Sequence, residues 1–315
     1  MDPAAAVDAI AVVAERLAVL LSAGVPAGGA WANVGVGGSR HERLGAESDD
    51  DAVRSAAATA AASGEPVSPA IVAVLNERRG ASPQWAVLAA AWQVASDSGA
   101  PLASSLRDLA RALRDEAQSR RDVRSALAGP LASARLVVTL PVLAALFGAS
   151  LGFDTVSVLF GNPLGLACVV IGTALLWAGH RWSAALARRA TPDRHASGLE
   201  LELLAIAMSG GASVERARRL VGTALDEVGI PSDRGSSVDE VIALAARAGA
   251  PVADLLRAEA GRLRRVARAD GAAGAAALGV RLMLPLGACV LPAFVLLGVM
   301  PLLISVVSGT LGGAA

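Results

Sequence analysis

The chain has 315 residues, 54% of them hydrophobic and 18% charged, with a formal net charge of zero. It is too apolar for an ordinary soluble protein and too charged to consist of membrane spans alone, so soluble helical parts joined to a few spans are expected. Its basic residues are all arginine and lie in short bunches, whereas a nucleic-acid partner would require a basic domain.

The first stretch, MDPAAAVDAIAVVAERLAV, carries Asp2 and Asp8 and no early basic residue, which argues against a secretory signal. Asp2-Pro3 reads as an N-cap followed by the first helical position. Val7, Ile10, Val13, Leu17, Leu20 and Leu21 mark one face of a helix that stops at Gly24. The corner Gly24-x-Pro26 recurs as Gly64-x-Pro66, Gly99-x-Pro101 and Gly249-x-Pro251. In each, glycine supplies the left-handed turn that ends one helix, and proline, with φ already set, opens the next. Such corners predict compact antiparallel bundles.

Residues 31–51, with Gly35–Asp51 reading GVGGSRHERLGAESDDD, are expected to form a loop. Gly35-Val36-Gly37-Gly38 lacks the preceding strand and the Gly-Lys-Ser/Thr element of a nucleotide loop. Glu47, Asp49, Asp50 and Asp51 suit either a cation or a helix N-terminus, where the dipole favours negative charge. Ser68-Pro69 and Ser82-Pro83 are further helix starts, and Trp85, Leu88 and Trp92 share the helical spacing of a core face.

An arginine-rich helix follows over 107–124. Arg111–Asp115 and Glu116–Arg120 have the i,i+4 spacing of solvated ion pairs. Alternatively Arg111, Arg114, Arg120, Arg121 and Arg124, with Arg262, Arg264, Arg265 and Arg268 later in the chain, form a surface for anionic lipid headgroups or a protein partner. Three segments reach the length needed to span a bilayer: 136–152, 159–179 and 282–307. Pro141, Pro285, Pro292 and Pro301 fall inside them, which neighbouring helices can accommodate. The arginine collars precede the first span, follow the second and precede the third. By the positive-inside rule all three face the cytoplasm, which places the tail 308–315 outside. Ala144, Gly148 and Gly152, and Gly161 with Gly165, are small-residue stripes suited to helix packing.

Cys168 and Cys289 read as small buried hydrophobes. His41, His180 and His195 have no metal-ligand spacing, and no Ser/His/Asp or Cys/His grouping presents itself. No catalytic residue, cofactor site or metal site is expected.

The dominant signal is an internal repeat. At an offset of 150, nine of the sixteen positions from Gly99 to Arg114 are identical to Gly249–Arg264. Each copy runs from a Gly-x-Pro corner through a long arginine-rich helix into an apolar stretch. The second copy is preceded by helices predicted at 199–209 and from Ser213 towards Leu225, and by a capping box at Ser237–Glu240. The predicted fold is an all-α membrane protein. It comprises a cytoplasmic helical bundle over 1–130, two spans within 131–179, a second cytoplasmic bundle over 180–281, and a third span.

LLSAGVP at 20–26, SGEPVS at 63–68, WAVLAAAWQVASDSGAPLASSLRDLARALR at 85–114 and the arginine-to-span passage ending at Pro141 resemble the type II secretion system F domain family, in the branch of tight adherence (Tad, or Flp) pilus platform proteins. This half is similar to the B-type subunit. LLAIAMSGGASVERA at 203–217 and GVRLMLPLGACVLPAFVLLGVMPLLIS at 279–305 are similar to the C-type subunit, as if the two were fused. The resemblance implies a non-enzymatic protein of the plasma (inner) membrane. Its implied partners are a hexameric secretion ATPase, prepilin and pilin subunits, other platform protomers and the lipid bilayer. Two other readings are a small-solute permease and a membrane-bound enzyme. The spans offer a permease only Thr139, Ser150, Thr173 and Ser305 as polar groups, and no catalytic constellation supports an enzyme.

Overall fold

Gly24, Gly64, Gly99 and Gly249 all take left-handed backbone angles, with φ between 64° and 84°. At these corners the amides of Val25, Glu65, Ala100 and Ala250 bond the carbonyls of Leu20, Ala60, Ala95 and Ala245 at 2.8–3.2 Å, the wrapped closure that satisfies a helix C-terminus. The computed structural model describes residues 3–35, 48–78, 80–150, 163–190, 198–232, 236–300 and 303. Regular structure among them is helical: α1 (Pro3–Ser22), α2 (Ala27–Gly35), α3 (Asp49–Ser63), α4 (Val67–Glu77), α5 (Gln84–Ser98), α6 (Leu102–Ser150), α7 (Pro163–Ala190), α8 (Leu199–Ser209), α9 (Val214–Glu227), α10 (Ser236–Ala248) and α11 (Val252–Arg281).

Both ends of the loop expected over 31–51 are helical. Residues 31–35 complete α2, where Trp31 is buried and meets Trp92 edge-on at 5.4 Å. At the other end Ser48 caps α3, its hydroxyl accepting from the Asp51 amide at 3.2 Å. Residues 36–47, including His41 and Glu47, lie outside the described residues. Asp49, Asp50 and Asp51 of the acidic run stand in the first turn of α3. Asp50 also accepts from the Ser82 amide at 2.9 Å and the Trp85 indole at 3.0 Å, tying the start of α3 to the start of α5. The expected cap at Ser237 falls inside α10, which begins at Ser236.

The chain divides into two compact units. The first comprises Met1–Arg121 and Asp193–Ala269. The helical sets expected as successive bundles therefore share one core, with Leu17, Trp31, Ile71, Trp85 and Leu88 buried alongside Leu203, Ile206, Leu225 and Leu256. The physical reason lies in α5. Its sequence, QWAVLAAAWQVASDS, is apolar on nearly every side, so it must be covered all round. It packs against α1 and α4 and also against α8 and α9.

The second unit comprises Asp122–Pro192 and Asp270–Ala315. Here α7 runs along the helical segment that continues beyond α11. A Cβ at Gly172 would lie 2.5 Å from Leu297 Cγ, and one at Gly179 would lie 3.0 Å from Cys289 Cβ, so the pair is antiparallel. Gly165, Gly172 and Gly179 are all buried at seven-residue spacing, a seam that lets two backbones approach. Leu166, Val170 and Trp177 of α7, with Met283, Leu284 and Leu291 opposite, are exposed. Among the described residues the helical run Val252–Val299 is long and apolar enough to cross a bilayer. Only 29% of its most apolar window is buried within the protein, unlike the core helix of a soluble protein. Two π-helical turns, Leu286–Val290 and Val295–Val299, interrupt it. The first lies immediately before the turn that carries Pro292, where a widened turn eases the clash between a proline ring and the preceding carbonyl. Of the other expected spans, 136–150 is the end of α6 and 163–179 the start of α7. Ala144 and Gly148 lie on α6, Gly165 is buried, and Gly152 and Gly161 lie outside the described residues.

Candidate functional site

The second repeat begins earlier than the offset of 150 suggests. At an offset of 187, residues 13–35 match 200–222 with eight of 23 positions identical, so α8–α9 repeats α1–α2. Leu17, Ala18, Ala30 and Val34 are buried, and so are Leu204, Ala205, Ala217 and Val221. Gly24 and Gly211 turn the chain at φ 84° and 83°. The two offsets differ because the second repeat has no counterpart of α3 and α4.

One ion pair is placed identically in both repeats. Arg114 of α6 grips Glu15 of α1 with both terminal nitrogens, one of them at 3.0 Å. Its equivalent Arg264, on α11, donates to Glu202 of α8 at 2.9 Å. Each pair fastens the long helix of its repeat to the first helix. The Glu202 side chain is only 5% exposed, against 43% for Glu15.

The second of these pairs opens on a cleft of about 190 Å³ lined by Asp108, Arg111, Asp115, Glu202, Arg257 and Arg264. Asp108 receives Arg111 from its own helix and Arg257 from the other repeat, the latter at 3.3 Å. Arg257 also donates to Asp254 at 3.1 Å. Three arginines and three carboxylates cancel, so the cleft clamps α6 to α11 by charge. Its lining includes no Ser, Thr, Cys, His or Lys side chain.

Of the arginines offered as a headgroup or partner surface, Arg111, Arg114, Arg120, Arg121, Arg262 and Arg264 have acidic partners within the chain. Arg111 pairs with Asp108 rather than Asp115; both carboxylates lie on its face of the helix, one turn to either side. Arg120 bonds Glu116 at 2.5 Å, as the spacing predicts, and Arg121 lies 3.9 Å from Asp8. Arg262 donates twice to Glu259, at 2.6 and 2.8 Å. Those hydrogen bonds, with the Arg262 charge, hold the Glu259 carboxyl below its ordinary value despite the opposing effect of burial. Arg124 and Arg265 are exposed and Arg268 is half-buried.

Among the described residues no three His, Cys, Asp or Glu side chains gather as metal ligands do. His180 is exposed, His195 lies outside the described residues, and Cys168 and Cys289 are free thiols in the second unit, half-buried and buried. Sequence reasoning missed Glu15 and Glu202; the signal that finds them is the offset of 187, which places each two residues after the start of its matched stretch.

Residues 13–149 match the family model of the type II secretion system (T2SS), protein F. The match runs from the middle of α1 to the end of α6. No curated protein and no solved structure matches the chain.

Proposed function

Starting from a chain whose residues 13–149 match the type II secretion system protein F family model, we propose that it is an inner-membrane platform protein of a type IV or Tad pilus, or of a related secretion machine. In this role it couples a cytoplasmic secretion ATPase to the extraction and assembly of pilin. F domains occur in the platform proteins of such machines. The observation that carries the reading is the continuity of α6 and α11. Each begins at a Gly-x-Pro corner in the helical unit and ends, unbroken, in the apolar unit. Displacement of the helical unit would therefore be delivered along two stiff rods to lipid-facing segments.

In this reading the chain is a fused B- and C-type subunit whose helical unit is cytoplasmic and whose apolar segments form three spans. Its partners are a hexameric ATPase, prepilins and other protomers. Supporting the placement, the Arg181 guanidinium lies 5.0 Å from the ring centroid of exposed Trp177, a pairing suited to the boundary between lipid and cytoplasm. Crosslinking in cells should trap the chain with a secretion ATPase and with pilin, and a clean deletion should abolish the filament. A deletion strain with normal filaments and normal secretion would overturn the assignment.

A further inference from the structure

We propose that a second copy of this chain docks its α1–α2 hairpin on the C-terminal corner of α10, repeating between molecules the contact that the two repeats make within one. The internal contact is well defined. Hairpin α8–α9 sits on α5, with Gly210 so close to the Ser98–Ala100 corner that a Cβ there would lie 2.7 Å from the Ala100 nitrogen. Arg216 donates to the Asp97 carbonyl at 3.4 Å, and Gln93 donates to Glu227 at 2.8 Å. Ile206, one turn before Gly210, and Val94, one turn before Ser98, are both 0% exposed.

This contact is head-to-tail. The second repeat supplies the hairpin and the first supplies the corner, so one hairpin and one corner are left over. On the spare hairpin Arg16, Val19 and Ala23 stand where Leu203, Ile206 and Gly210 stand in its equivalent. Val19 is 55% exposed and borders an open groove of about 400 Å³ with Leu20, Asn33 and Val34. On the spare corner Leu244 stands in the place of Val94 and is 46% exposed, and Ala248 and Gly249 beside it are exposed too.

The two spare faces have changed together. Arg16, exposed, replaces buried Leu203, while exposed Asp239 and Glu240 replace buried Ala89 and Ala90. Opposite charges thus take the place of apolar residues on the two surfaces that would meet. Asp239 is the more committed of the two, since it accepts from Arg218 whereas Glu240 only feels the charge of Arg262, which leaves Glu240 as the main counterpart of Arg16. Ala23 has a methyl group where Gly210 has none, so the contact between copies is wider and weaker than the internal one. Asp108 pairs with Arg257, and seven residues further along each helix Asp115 and Arg264 line the same cleft, so α6 and α11 lie level and run in the same direction there. Copies added by the same operation keep those helices parallel, as subunits of one bilayer do. A head-to-tail contact continues until a ring closes.

The inference gives the protomer contact of the proposed function a specific geometry and rests on that reading only in taking other copies as partners. Its test needs neither ATPase nor pilin. The full chain in detergent is sized by light scattering over a range of concentrations. Wild type should self-associate, and Val19→Glu or Leu244→Glu should each weaken association by about tenfold or more. Mixing the two variants should restore dimers but nothing larger, because each mixture holds one intact hairpin face and one intact corner. Ala23→Gly should tighten association. A charge exchange guards against misfolding: Arg16→Glu weakens association and Arg16→Glu with Glu240→Arg recovers it. A monomeric wild type, variants that associate like wild type, or a mixture that stays monomeric would each overturn the contact while leaving the ATPase crosslink as a separate question.

Discussion

The same glutamate–arginine pair occurs twice in the helical unit, and what differs is its burial. Removing Arg264 would strand the nearly buried Glu202 carboxylate, so Arg264→Met should cost about 3–5 kcal/mol. Arg114→Met exposes an already half-open Glu15 and should cost about 1 kcal/mol or less. Glu202→Leu with Arg264→Met should recover most of the loss. Denaturant midpoints of the purified chain in detergent would rank the three, and equal losses for the two single changes would refute the argument. Glu259 gives a pH dependence. Its folded-state pKa is depressed, so its contribution is complete above the ordinary value of 4.5 and is lost as pH falls through the lower folded value. The fall in thermal midpoint across that range should be shallower in Glu259→Gln; an unchanged slope would count against it. At this scale the arginines were legible in the sequence, and so was the Glu116 partner of Arg120, but the partners on other helices were not. Glu15 and Glu202 come to equivalent places only after the missing counterpart of α3–α4 is allowed for.

Among the elements, corners were the most readable features. A Gly-x-Pro sequence specifies its own backbone angles, and all four take them. Helix α2 was not readable beyond its start. AGGAWANVG holds three glycines, poor helix formers, and burial of Trp31 outweighs that penalty. The seam of Gly165, Gly172 and Gly179 was half seen, because the stripe looked for had four-residue spacing whereas the antiparallel partner meets α7 every seventh residue. Glycines therefore differ sharply in what substitution should do. Gly222, inside α9, has open space where a Cβ would go, so Gly222→Ala should stabilise by about 0.5–1 kcal/mol. At Gly28 the added carbon would lie 2.9 Å from the Ala61 carbonyl oxygen of α3, and Gly28→Ala should destabilise. Gly172→Val would strike Leu297 and loosen the helix pair of the second unit. Thermal midpoints check all three signs, and a stabilising Gly28→Ala would show that the α2–α3 approach is softer than its geometry implies.

For the molecule as a whole, the doubled plan was legible from one stretch of identity, because a long helix and its corner tolerate little drift in spacing. That the two halves share a core was not. Leu203 and Ile206 look like one more amphipathic face until α5 is seen to need them, and Arg16 and Val19, at the same places in the first half, give no hint that their counterparts are covered. Helix α6 runs from Leu102 to Ser150 and passes from one unit to the other between Arg121 and Asp122. Within a continuous helix, each residue inserted at that junction advances the phase of everything downstream by about 100°. One added alanine would turn the far half of α6 away from its proper azimuth, whereas seven would bring it back to within about 20°. Filament number should collapse with the first insertion and partly return with the second. Equal tolerance of both would mean that the rod acts as a tether, in which angular alignment carries no information.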